Sequence, residues 1–128
     1  MNKAQAIHSF WSSFGIPAYD QNTIPNADDK ADHRPEPPYI TYEVIEDSLN
    51  TPVALSGSIW YRSTKWDEIT LKAEEIAAEI GYGHKIIKID GGYLYITKGS
   101  PFAQRMSDED DSIRRIYINL MVEFLTAF

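Results

Sequence analysis

Strict alternation of apolar and polar residues towards the C-terminal end is the feature that most limits how this chain can fold. From Ser112 onward the residues alternate, and one face carries Ile116, Ile118, Leu120, Val122 and Phe124. Because successive side chains of a strand point to opposite faces, this period of two predicts a long strand with one buried face. The other set includes Tyr117 and Met121, so we expect a second apolar contact on the opposite face.

Two segments have the spacing of amphipathic helices. Apolar residues recur at intervals of three and four in Ala4–Phe14 and again in Lys65–Ile80, and a glycine follows each segment. Thr64 stands three residues before Asp67, which resembles a capping arrangement. A helix is therefore predicted over each segment, with the second beginning at this cap.

Four further segments have the composition of strands. Tyr39–Asp47 and Val53–Arg62 are joined by a short connection and predict a hairpin. His84–Ile89 and Tyr93–Lys98 flank an Asp-Gly pair, a strong hairpin signal. Residues 18–38 contain several prolines and predict a long irregular loop.

The predicted order is helix, two strands, helix, three strands, or α-β-β-α-β-β-β. This order predicts an α+β fold in which an antiparallel sheet of about five strands has both helices packed on one face. The 128 residues are expected to form a single domain over 1–128. The chain has no cysteine, which excludes disulfides and cysteine-ligated metals. No apolar run reaches the roughly 18 residues that span a bilayer, so we expect a soluble chain with no membrane partner.

Residues 99–112 are predicted to form an interaction loop before the last strand. Phe102, Arg105 and Met106 are of residue types that are enriched at protein interfaces. Arg114 and Arg115 follow, and they could pair with acids across such an interface. The alternatives are a solvated loop anchored by its phenylalanine, and arginines that only discourage unwanted pairing at a strand edge.

The charge of the chain is acidic. Twelve basic and nineteen acidic residues give a formal net charge of −7, which disfavours binding to a nucleic-acid backbone. Four acids are consecutive: Asp108, Glu109, Asp110 and Asp111. If this run faced a channel, DNA could pass along it without adhering.

The residues contain no recognisable catalytic motif. The serines lie in no nucleophile motif, and three scattered histidines do not define a general base. Asp28, Asp29, Asp32 and His33 are possible metal ligands with irregular spacing, so a metal-assisted hydrolase is kept as one alternative. Another is a small-ligand or peptide-binding module with a pocket of tryptophans and tyrosines. The main expectation is a protein that is not an enzyme and has no cofactor.

Four segments resemble those of small phage and prophage tail-completion proteins, which are similar to the tail terminators of long-tailed phages. They are Phe10–Pro25, Pro38–Val44, Ser58–Ile69 and Pro101–Phe124. The resemblance implies a homo-oligomeric ring, commonly hexameric, that caps the tail tube protein and meets the head connector protein. It also implies that DNA passes through the lumen without specific binding, and that the protein assembles in the host cytoplasm and ends in the virion tail.

A ring requires one patch of each copy to contact a different patch of its neighbour. The apolar N-terminal segment and Phe102–Met106 are the candidates for these patches.

Overall fold

A computed structural model describes residues 1–21, 36–44, 52–107 and 110–126 of the chain. These residues form an α+β fold of two helices and a mixed six-stranded sheet. The elements, in chain order, are α1 (Lys3–Ser12), β1 (Ala18–Asp20), β2 (Tyr39–Val44), β3 (Val53–Arg62), α2 (Asp67–Ile80), β4 (Lys85–Ile89), β5 (Gly92–Met106) and β6 (Ile113–Thr126). Among the described residues, no helix is long and apolar enough to cross a membrane.

The strands lie in the order β1-β2-β3-β6-β5-β4. The strand predicted from the alternating pattern, β6, is central and pairs antiparallel with both β3 and β5. Its predicted apolar face is buried at every position from Ile116 to Phe124, as expected. Adjacent strands are antiparallel, except that β1 runs parallel to β2.

The predicted all-antiparallel sheet of five strands was wrong in one respect, because β1 adds a sixth, parallel strand. β1 lies at the start of the predicted loop 18–38, where the backbone N–H of Ile40 donates to the Pro17 carbonyl at 2.8 Å. Three residues are too few for a periodic pattern to be recognised. Residues 22–35 of the predicted loop lie outside the described residues.

The predicted interaction loop at 99–112 was also wrong over its first half, where β5 continues as a strand to Met106. Lys98 is opposite Leu120, but the next pair joins Ala103 to Ile118, so the residues between them bulge. Asn119 holds the bulge by donating from Nδ2 to the Pro101 carbonyl at 2.9 Å. Extra residues in one strand reset which side chains face the core, and the alternation that would reveal the strand is interrupted here.

Both helices pack on the same face of the sheet. The Trp11 ring of α1 lies over Gly57 of β3, and Ala73 of α2 lies beside Ile116 of β6. Gly57 is opposite Ile118, which shares its face with Ile116. The buried residues of both helices therefore join the inner face of the sheet in one hydrophobic core.

The helix caps differ from the prediction. The N-cap of α2 is Trp66, which makes no side-chain capping hydrogen bond, so Thr64 is not the cap. It is α1 that has a capping box, in which the Asn2 side chain accepts from the backbone N–H of Gln5 while the Gln5 side chain accepts from that of Asn2.

Candidate interaction surface

The second half of β5 forms an exposed edge of the sheet. Residues 101–106 are here called the β5 extension. Ala103 to Met106 pair with β6 on one side, whereas β4 pairs only with the earlier part of β5, from Gly92 to Ile96. Ala103 to Met106 are all exposed. A strand edge of this kind can offer backbone donors and acceptors to another chain.

Two arginines converge on Trp66 beside this edge. The guanidinium carbons of Arg105 and Arg114 lie 4.8 Å and 5.3 Å from the centre of the Trp66 ring. Arg114 donates to the backbone carbonyls of Thr64 and Asp111, each at 2.9 Å. It therefore ties the start of β6 to the segment before α2, across fifty positions of sequence.

Arg105 is held differently. Its contact with Trp66 is a cation–π interaction, and its side chain forms no hydrogen bond or ion pair with another described residue. The bulge places Arg105 opposite Ile116, on the helix side of the sheet. Its N–H groups thus remain available at a pocket of about 240 Å³, here called the arginine pocket. This pocket is lined by Trp66, Arg105, Met106, Ser107, Asp111, Ile113 and Arg114.

The other predicted interface residues lie apart from this pair. Met106 and Arg115 are opposite each other in the pairing of β5 with β6, on the face of the sheet away from the helices. Phe102 lies in the bulge, where it is half-buried against the core. The structure therefore brings Arg105 and Arg114 together at Trp66, but directs both Met106 and Arg115 to the opposite face of the sheet.

Arg115 ends a row of side chains that crosses four strands on that opposite face. It lies 4.7 Å above the Trp60 ring, which stacks on Tyr39 at 6.1 Å, and Tyr39 meets Tyr19 edge-on at 6.0 Å. The Arg115 Nε donates to the Ser58 hydroxyl at 3.0 Å. Trp60 therefore belongs to a row of packed side chains, in which Arg115 and Tyr39 are the neighbours of its ring.

The acidic run contributes to the turn into β6. Asp110 accepts hydrogen bonds from the hydroxyl and the backbone N–H of Ser112, at 2.6 Å and 2.8 Å. These bonds, with a smaller effect of Arg62 at 3.9 Å, hold the pKa of Asp110 below its ordinary value. Asp111 is exposed at the arginine pocket. Asp108 and Glu109 lie outside the described residues.

A groove separates the β5 extension from α2. Its volume is about 260 Å³, and its lining is mostly apolar. The residues that line it are Thr70, Ala73, Glu74, Ala77, Phe102, Ala103, Gln104, Arg105 and Ile116.

The chain matches no protein-family model, no curated protein and no solved structure.

The tryptophans proposed as a ligand pocket are not brought together. Trp11 is fully buried on the side of α1 that faces the sheet. Trp60 lies on the face of the sheet away from the helices, and Trp66 lies at the start of α2. The possible metal ligands at 28, 29, 32 and 33 lie outside the described residues. Among the residues that are described, no group of three or more potential ligands is placed to hold a metal ion.

Sequence reasoning missed two arrangements. Trp66 has the helical spacing of a core residue, and its position under two arginines depends on contacts that are distant in sequence. His8 is hydrogen-bonded through Nδ1 to the Tyr42 hydroxyl at 3.1 Å and through Nε2 to the Ser12 hydroxyl at 3.3 Å. The spacing of four between His8 and Ser12 on a helix is the signal that could have paired them.

Proposed function

We propose that this chain is a structural protein that completes a phage tail and joins it to the head, acting as a homo-oligomeric ring on the tail tube. The observation that carries the proposal is the exposed β5 extension, where Arg105 lies over Trp66 and the next residue, Met106, is exposed on the other face of the sheet. Tryptophan, arginine and methionine are enriched at protein interfaces, and Trp and Arg among their energetic hot spots. The resemblance of four segments to tail-completion proteins supplies the phage context.

In this role the chain acts by assembly and not by catalysis, and it needs no cofactor. Its partners are further copies of itself in a ring that is commonly hexameric, the tail tube protein and the head connector protein. The formal charge of −7 supports a lumen through which DNA passes without specific binding. Assembly would take place in the host cytoplasm, and the finished protein would reside in the virion tail.

Electron microscopy of tails assembled with and without the protein tests the proposal. Without it, we expect tubes of uncontrolled length that do not join heads. Supplying the Arg105→Glu variant should give the same defect, whereas Lys88→Glu, at an exposed position of β4, should restore normal tails. Tubes of normal length that join heads in the absence of the protein would overturn the proposal.

The acidic run has its own test. Replacing Asp108, Glu109, Asp110 and Asp111 by lysine would make the run basic, so retention or ejection of DNA should be impaired if the run faces the channel. Tail length should stay normal. Unchanged infectivity would show that these side chains do not face the passing DNA.

The groove between α2 and the β5 extension favours a second candidate, a module that binds an apolar side chain of a peptide. A bulky residue separates the two candidates, because Ala77→Trp fills the groove but keeps Arg105, which lies over Trp66 as well as at the groove. Under the assembly proposal, Ala77→Trp should preserve tail completion and Arg105→Glu should abolish it. The reverse result would favour the peptide-binding module.

A further inference from the structure

We propose that the β5 extension binds an extended peptide of a partner protein, which adds to the sheet as a further, antiparallel strand and has an acidic side chain two positions before an apolar one. The acidic side chain binds Arg105, and the apolar side chain enters the groove beside α2. The inference rests on the second candidate function, the peptide-binding module, and adds to it the backbone pairing and the order of the two side chains. It concerns a single copy of the chain and does not require a ring.

The edge of the β5 extension favours an extended chain as its ligand. Ala103 to Met106 pair with β6 on one side, and none of the described strands pairs with their other side. Alternate residues of an edge strand direct their backbone N–H and C=O groups outward, where the backbone of an added strand can satisfy them in register. Peptides bound in this way obtain affinity from main-chain hydrogen bonds, and specificity from pockets for alternate side chains.

Two features on the helix side of this edge match the spacing of alternate residues in an added strand. Ala103 is opposite Ile118 and Arg105 is opposite Ile116, and both isoleucines are buried on the inner face of the sheet. Side chains two positions apart on a strand share a face and are separated by about 7 Å. An added strand therefore places one side chain beside Ala103 and the next one on the same face beside Arg105.

The position beside Ala103 favours an apolar side chain. It adjoins the groove of about 260 Å³, whose walls include the small side chains of Ala73 and Ala77 and the half-buried ring of Phe102. These small side chains leave room for a leucine or phenylalanine of the partner. Removing such a side chain from water supplies the apolar part of the binding.

The position beside Arg105 favours a carboxylate. Trp66 holds the guanidinium group of Arg105 at 4.8 Å, so less side-chain freedom is lost on binding. A planar guanidinium group matches a carboxylate through two parallel hydrogen bonds. Arg114, at 5.3 Å from the centre of the same ring, adds positive charge at this end of the edge. Asp111 and Glu74 line the arginine pocket and the groove, but neither forms an ion pair with a described residue.

The order of the two side chains follows from the direction of the added strand. Antiparallel pairing is slightly more stable per residue than parallel pairing. In an antiparallel strand, the residue beside Arg105 comes two positions before the residue beside Ala103. The predicted motif is therefore Asp or Glu, then any residue, then Leu or Phe.

A second copy of the chain fits this edge less well than a partner of different sequence. The strands at the two ends of the sheet order are β4 and β1. β4 contains two lysines and no acid, so it would place like charge beside Arg105. β1 has only three residues. Neither strand contains an acidic residue two positions before an apolar one.

Binding of a synthetic peptide tests the site. The probe has Glu-Thr-Leu at its centre and two threonines on each side, is acetylated and amidated to remove the terminal charges, and carries a dye for fluorescence anisotropy. We expect saturable binding to the natural chain. The peptide with the reversed order, Leu-Thr-Glu, should bind at least about tenfold more weakly, which corresponds to about 1.4 kcal/mol.

A double-mutant cycle tests the pairing of the peptide carboxylate with Arg105. Arg105→Gln should weaken binding of the probe about tenfold, and a probe with Gln in place of Glu should lose as much with the natural chain. Combining the two changes should cost little more than either alone. Ala77→Trp should block binding by filling the groove, whereas Lys88→Gln, at an exposed position of β4, should bind the probe as the natural chain does. Circular dichroism would verify that each variant is folded.

Methylation of the peptide backbone tests the added strand with the natural chain, so this test does not depend on the folding of a variant. Each peptide N–H is methylated in turn, which removes one donor at a time. Only every second residue of a strand directs its N–H to a given neighbour. We therefore expect methylation to weaken binding at alternate positions and to have little effect at the positions between them.

The failures of the inference and of the candidate function are distinguishable. Binding that is indifferent to methylation, or equally strong for both orders of the motif, would overturn the antiparallel strand and leave the peptide-binding module standing. Absence of binding by either peptide would overturn both. Self-association that Arg105→Glu disperses, in a chain that binds neither peptide, would identify a second copy as the occupant and overturn the inference.

Discussion

The indole of Trp11 packs so closely on Gly57 that no side chain fits between them. A Cβ atom at Gly57 would lie 2.9 Å from Cη2 of Trp11 and 3.0 Å from the carbonyl oxygen of Thr41. Trp11 is fully buried, so its ring has no space into which it could move. Gly57 therefore sets how closely α1 approaches β3.

We expect Gly57→Ala to lower the free energy of unfolding by about 1–3 kcal/mol, the usual cost of inserting a methyl group into a packed core. Chemical denaturation followed by tryptophan fluorescence would measure it. Gly83→Ala is the matched control, because a Cβ atom there would meet no atom within 4 Å. Equal stability of Gly57→Ala and the natural chain would contradict this account of the packing.

Lys72 joins α2 to the residues that follow α1. Its ammonium group donates to the Phe14 carbonyl at 2.6 Å, and its side chain is only 16% exposed. Lys72→Met keeps much of the apolar stem but leaves this carbonyl without its donor. A hydrogen bond to a charged group contributes about 1.5–3 kcal/mol, so we expect a loss of stability in that range by thermal unfolding. Lys65→Met, at an exposed position, should change stability by less than about 0.5 kcal/mol.

The sequence allowed prediction where periodicity is regular. The bounds of β3 agree with the predicted Val53–Arg62, and the buried face of β6 is the predicted one. The Asp-Gly pair marks the turn between β4 and β5, where Gly91 has a φ of 82° that glycine adopts readily. These features are local, so a single stretch of sequence contains the necessary information.

The remaining features depend on distant contacts. The bulge after Lys98 interrupts the alternation of β5, which made the β5 extension look like a loop. The approach of Arg105 and Arg114 to Trp66 results from strand pairing and from that bulge, and no local pattern specifies either contact. The candidate residues could thus be identified from their chemistry, but the sequence could not show on which face of the sheet each of them lies.

Asp110 should make the fold sensitive to acid. Its folded-state pKa is held below the ordinary 3.8, chiefly by hydrogen bonds from Ser112. A carboxylate whose pKa is lower in the folded state stabilises the fold at any pH above its unfolded-state pKa. This stabilisation is lost as the pH falls through the folded-state pKa. We therefore expect Asp110→Asn, which retains an accepting oxygen, to be less stable than the natural chain at pH 7. The difference should vanish below the folded-state pKa of Asp110.

Melting temperatures of both proteins between pH 2 and pH 7 would check this expectation. Asp111→Asn serves as the control, since the Asp111 contact with Arg114 is through the backbone carbonyl and survives the substitution. A difference between Asp110→Asn and the natural chain that stayed constant across this range would show that charge at Asp110 is not involved.

Tyr42 should make the fold sensitive to alkali. Burial, and to a smaller extent the charge of Asp20, raise the pKa of Tyr42 above 10.0. The contribution of a group with a raised pKa to the stability of the fold is fully present below its unfolded-state pKa. That contribution is lost as the pH rises through its folded-state pKa. Tyr42→Phe keeps the ring that stacks on Trp11 at 6.2 Å but loses the hydrogen bond with His8.

At pH 7 we accordingly expect Tyr42→Phe to be less stable by about 1 kcal/mol, the typical net contribution of one hydrogen bond. The natural chain should then lose stability more steeply above pH 10, because it must ionise a buried phenol and the variant need not. The gap between the two proteins should therefore narrow in melting curves taken from pH 7 to pH 12. Tyr93→Phe, at an exposed position, should follow the natural chain throughout. A gap that stayed constant or widened would mean that the Tyr42 hydroxyl ionises as easily in the folded chain as in the unfolded one.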